Sequence, residues 1–79
     1  MKIYWHGTSK NIIGNKVKEL RKARGLSQKT LAGKLQLLGY DFSDLTILRI
    51  EKGDRFVADY EVVAFAQVFG VTTDELLSQ

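Results

Sequence analysis

Apolar residues recurring at helical spacing, a single glycine closing each such stretch, and a serine or threonine opening the next predict an all-α fold for this sequence. Its 79 residues make one domain, read as a short N-terminal arm (1–10) and a five-helix domain (11–79). No alternation of apolar and polar residues indicates a strand after residue 10.

The first helix is expected from Asn11 to Arg24. Ile13, Val17 and Leu20 share one face, and Gly25 ends it. Ser27 caps a second helix, whose Leu31, Ala32 and Leu35 face inward, with Gly39 as its stop. Ser43 caps a third, which turns Ile47 and Ile50 inward and closes at Gly53. A fourth begins near Asp59. Its Val62, Phe65, Ala66 and Phe69 repeat at i, i+3, i+4 and i+7, and Gly70 ends it. Thr72 and Glu75 have the spacing of a capping box for a short fifth helix, Asp74 to about Ser78, whose Leu76 and Leu77 are expected to close the bottom of the core. Before all of these, Lys2-Ile3-Tyr4-Trp5-His6 forms an aromatic arm. Packing on the fifth helix, a dimer contact and a DNA-touching tail are all open for Tyr4 and Trp5.

Composition narrows the function. The chain has no cysteine, so disulfides and thiolate metal sites are excluded, and no proline interrupts a helix. No apolar run approaches the roughly 20 residues that span a bilayer, and the N-terminus lacks the apolar stretch of a signal peptide. A soluble, cytoplasmic protein is expected. The net charge of +3 hides a strong asymmetry: residues 1–35 carry nine Lys/Arg and one acid, whereas residues 36–79 carry three bases and eight acids. The halves are therefore +8 and −5, which suggests a polyanion bound on one face.

No constellation for catalysis is present. His6 is the only histidine and cannot form a metal site alone. Asp41, Asp44, Asp54 and Asp59 have the placement of caps and turn residues, and the glycines sit singly rather than in a phosphate-cradling loop. No enzyme activity, cofactor or metal is expected.

Two short amphipathic helices joined by a turn and preceded by a basic helix are the ingredients of a helix-turn-helix. The stretch IGNKVKELRKARGLSQKTLA, then LTILRIEKG, then FGVTTDELL resembles the phage-repressor and Cro-like (Xre-like) family over residues 12–77. Arg21, Leu26-Ser27-Gln28, Leu31-Ala32, Ile50-Glu51-Lys52-Gly53 and Gly70-Val71 carry that resemblance at the right relative spacing. It implies a lambda-repressor-like DNA-binding domain whose second helix crosses the DNA backbone and whose third enters the major groove. It further implies a sequence-specific transcriptional regulator, in the sense of a repressor, that binds double-stranded DNA as a homodimer on a two-part operator.

Several site residues follow from the resemblance. Gln28 matches a phosphate-bonding position, with Lys29 beside it, and Lys52 and Arg55 match further phosphate contacts. Ser43 and Asp44 open the third helix, Leu45, Leu48 and Arg49 are its exposed positions, and Thr46 lies at the edge. Arg49, with a donor fork suited to guanine, is the expected base reader. Arg21 and Glu51 match a buried ion pair that ties the first helix to the third.

The sequence departs from the family pattern in two places. The connection LQLLGYDFS is several residues longer, which extends the second helix through Leu38 and lets Phe42 fill a core position. The third helix is also unusually apolar. Leu45 and Leu48 are open to three readings: contact with thymine methyls, contact with a protein partner, or packing under the longer turn. The second of these is the basis of an alternative function, an antitoxin-like or accessory protein whose fold mainly binds another protein.

Overall fold

The chain folds into five helices, three of them opened by a hydroxyl cap. They are α1 (Gly14–Ala23), α2 (Gln28–Leu37), α3 (Asp44–Lys52), α4 (Asp59–Phe69) and α5 (Thr73–Leu77). The structure is a computed structural model and describes residues 9–78. The aromatic arm through His6 lies outside the described residues.

Local chemistry sets each boundary. The Ser27 hydroxyl accepts from the Thr30 N–H at 3.0 Å and starts α2. Ser43 does the same for α3 from Thr46 N–H at 3.2 Å, and Thr46 returns a bond to Ser43 N–H, which closes a full capping box. Gly53 ends α3 at φ 79°, a left-handed conformation that strains any residue with a Cβ. The start of α4 has no hydroxyl cap at Ala58, so Glu61 reaches back to Ala58 N–H at 2.9 Å. Thr72 caps α5 through Glu75 N–H at 3.2 Å.

Boundaries differ from expectation by one to three residues: α1 ends at Ala23 rather than Arg24, and α5 runs one residue earlier than expected. The first helix begins at Gly14 rather than Asn11, because the Asn11 side-chain oxygen takes the Gly14 N–H at 2.7 Å and holds residues 11–13 outside the helix. The second ends at Leu37, with Leu38 as its C-cap.

The inward faces meet in one core of Ile13, Val17, Leu31, Leu35, Phe42, Ile47, Ile50, Phe65, Phe69 and Leu76, with Ala32, Ala64, Ala66 and Val62 between them. Phe42 therefore fills the space left by the longer α2–α3 connection, stacked at a tilt on Phe65 with ring centroids 5.7 Å apart. Leu77 corrects an expectation: Leu76 is fully buried, but Leu77 is 41% exposed and does not close the core. The five-residue length of α5 explains this, because a short helix buries one narrow stripe. α3 packs against both α1 and α2, so its inner face is fixed from two sides.

Candidate nucleic-acid interface

The placement of α3 depends on its inner face. Ile47 and Ile50 are fully buried, and Glu51 follows them into the interior. An unpaired carboxylate there would be costly. Arg21 of α1 meets it with Nε 2.6 Å from Oε2 and a second bond from Nη2 to Oε1 at 3.1 Å. The remaining guanidinium nitrogen donates to the Leu26 carbonyl at 2.8 Å, so the same side chain also holds the α1–α2 turn. Hydrogen bonding to Glu51 raises the Arg21 pKa above its ordinary value, against the opposing effect of burial.

A second fixture lies at the C-terminal end of α3. Asn11 donates to the carbonyls of Ile50 (3.1 Å) and Arg55 (2.8 Å). Gly14 lies so close to the Ile50 carbonyl that a Cβ there would collide with it. Lys10 N–H adds a bond to the Gly53 carbonyl at 2.8 Å. Sequence reasoning missed Asn11 as a tether. Its signal was the preference of Asn for helix starts, and a glycine inside a helical pattern often marks close backbone approach.

With its inner face fixed, α3 leaves Asp44, Leu45, Leu48, Arg49 and Lys52 exposed and Thr46 half-buried. At about 100° per residue, Leu48, Lys52, Leu45 and Arg49 fall within an arc of roughly 100° on the outer surface. Lys29 is exposed in the first turn of α2, and Lys29, Gln36, Ser43 and Asp44 line a shallow groove between α2 and the start of α3. The hydroxyls of Ser43 and Thr46 are both committed to the capping box. The Asp44 carboxylate accepts from Leu45 N–H at 2.9 Å.

Two residues expected at the phosphates have inward partners. Gln28 is half-buried and donates to Glu51 Oε1 at 3.2 Å, joining the Arg21 pair. Arg55 is engaged more fully. Its guanidinium makes two bonds to Glu61, at 2.9 and 3.1 Å, and lies over the Phe42 ring at 5.2 Å. Arg55 thus fastens the α3–α4 connection to α4, and its donors point toward a carboxylate that is almost fully buried. Burial pushes the Glu61 carboxyl up, but hydrogen bonds from Arg55 and Ala58 outweigh it and hold the group below its ordinary value. Sequence reasoning also missed Arg24, which donates to the Phe69 carbonyl at 2.7 Å and stabilises the C-terminal end of α4.

A capped, outward-facing short helix follows a second capped helix and is pinned to it by buried side chains. That arrangement is a helix-turn-helix, here with a longer turn. A family model described as helix-turn-helix domain matches residues 12–79. The chain belongs to that family, whose members' architecture supports DNA binding. Neither the comparison with curated proteins nor that with solved structures finds a match. Among the described residues, no helix is long and apolar enough to cross a membrane.

Proposed function

We propose that this protein is a sequence-specific regulator of transcription, of the phage-repressor and Cro-like type, that binds duplex DNA with α3 in the major groove. One observation carries this reading: the outer arc of α3 holds four exposed, unpinned side chains, while every inward side chain of the same helix is locked. An element held rigidly from behind and left free in front suits reading a groove.

Lys29 and Lys52 are the phosphate contacts in this reading. Gln28 already spends one amide N–H on Glu51, which leaves its second for a phosphate. Arg49 is the base reader, because its guanidinium has no acid partner among the described residues and faces outward. A homodimer places two such helices about 34 Å apart, one DNA turn, and thereby doubles the bases read. Repression by promoter occlusion is the simplest consequence.

The test is binding of a fluorescent duplex at several salt concentrations. Phosphate contact makes log K fall linearly with log salt, at about −0.9 per neutralised phosphate. Binding insensitive to salt, or none, would favour the protein-partner reading.

A further inference from the structure

The outer face of α3 is unusual for a surface that meets DNA. Leu45 is 48% and Leu48 37% exposed, so each keeps part of its apolar surface open on the outer face of α3. In the core, the space at the longer α2–α3 connection is filled by Phe42 and not by either leucine. The polar side chains of α3 that would normally read bases are spent: the Ser43 and Thr46 hydroxyls bond each other and the backbone. Asp44 already accepts from Leu45 N–H, and its charge is repelled by phosphate. Leu45, Leu48 and Arg49 are the groups left to face base edges.

We infer that Leu45 and Leu48 read the C5-methyl groups of two neighbouring thymines in each half-site, beside the base contacted by Arg49. This deepens the proposed function and rests on it. The thymine methyl is the only apolar group that a base pair presents in the major groove, so an apolar reader has one target there. The geometry suits it. Leu45 and Leu48 are three residues apart on one face and are separated by about 4.5 Å along the helix axis. That separation is comparable with the base step of about 3.4 Å. The charge around them favours DNA over an apolar groove of a protein: Lys29, Arg49 and Lys52 are all exposed nearby, and Asp44 is the one acid exposed on α3. Burying the leucines against methyls lets Lys29 and Lys52 reach phosphates while Arg49 meets its base. Burying them in a protein groove would place those cations against a surface that must answer each with an acid.

Deoxyuridine differs from thymidine only by this methyl, so it isolates the contact. The probe is the duplex enriched from a random pool by the purified protein, remade with deoxyuridine at each thymine in turn. The expected result is enrichment of two adjacent thymines per half-site. Each replacement there should weaken binding about fourfold, the loss for uncovering one methyl-sized group. In Leu45→Ala or Leu48→Ala protein, checked for an unchanged melting temperature, the corresponding replacement should have no further effect. Enrichment of a site without paired thymines, or of thymines whose methyls can be removed at no cost, would overturn this inference and leave the proposed function standing. Absence of any enrichment would overturn both. Leu45→Ala or Leu48→Ala protein that lost binding to a protein partner, but not to DNA, would assign the face to that partner instead.

Discussion

Arg21 and Glu51 lie thirty residues apart in sequence, yet two guanidinium nitrogens meet the two carboxylate oxygens at 2.6 and 3.1 Å. The pair joins the first helix to the third at the point where the exposed arc of α3 ends. Glu51→Ala leaves the guanidinium buried without its counter-ion and should cost about 3 kcal/mol or more. Replacing both by apolar residues of similar size should cost much less, because the pair need not stabilise the fold over a packed apolar core. Thermal or urea unfolding of the three variants checks this. A Glu51→Ala protein as stable as the parent would contradict it.

The Arg55–Glu61 pair gives the acid limb of the stability curve a definite sign. The folded Glu61 carboxyl is held below its ordinary value of 4.5, so the unfolded chain binds a proton first as pH falls. The contribution is complete above that value and is lost as pH drops through the lower folded one. Glu61→Gln should be less stable than the parent at pH 7, and the difference should shrink below pH 4.5. A difference independent of pH throughout the acid range would refute the assignment.

The phosphate contacts proposed for Lys29 and Lys52 are separable from the role of Arg55 in the fold. Lys29→Ala and Lys52→Ala should weaken binding to all duplexes about equally and flatten the salt slope by about 1 each. Arg55→Ala, measured well below its own melting temperature, should leave the slope unchanged, since its donors serve Glu61. A flattened slope for Arg55→Ala would restore it to the phosphate set.

Helical periodicity made the core and the outer arc of α3 legible, because burying Ile47 and Ile50 settles where Leu45, Leu48 and Arg49 point. The same reasoning did not reveal the partner of Arg55, which belongs to the next helix, nor those of Arg24 and Asn11, which bond main-chain carbonyls 39 to 45 residues away. A carbonyl carries no residue-type signal, so no spacing rule announces such a bond. Leu77 was misjudged because it lies about 100° around the helix from Leu76, and the single short turn of α5 buries only the Leu76 side.

The expected homodimer needs a surface, and α5 offers only Leu77 because Leu76 is buried. A larger apolar surface lies where α2 meets α4: Leu37 is 88% exposed and lines a shallow groove with Leu38, Gln67 and Val68, with Lys34 as its one charged residue. No ionisable residue occurs from Val62 to Thr73, so a second copy carrying the same net charge meets little repulsion at α4. Leu37→Lys should shift the sedimentation profile toward monomer more than Leu77→Lys does. A parent protein that stays monomeric with and without duplex DNA would rule the dimer out.

The most direct test of the proposal that α3 reads DNA is selection of bound sites from a random duplex pool, run in parallel with the parent and Arg49→Ala. An arginine fork paired with guanine O6 and N7 discriminates by roughly 1–3 kcal/mol. The parent should therefore enrich a two-part site with a fixed guanine in each half. Arg49→Ala should lose preference at that guanine and keep the rest. An unchanged site with uniformly weaker binding would reduce Arg49 to a phosphate contact, and a pool without enrichment for the parent would contradict DNA reading by this helix altogether.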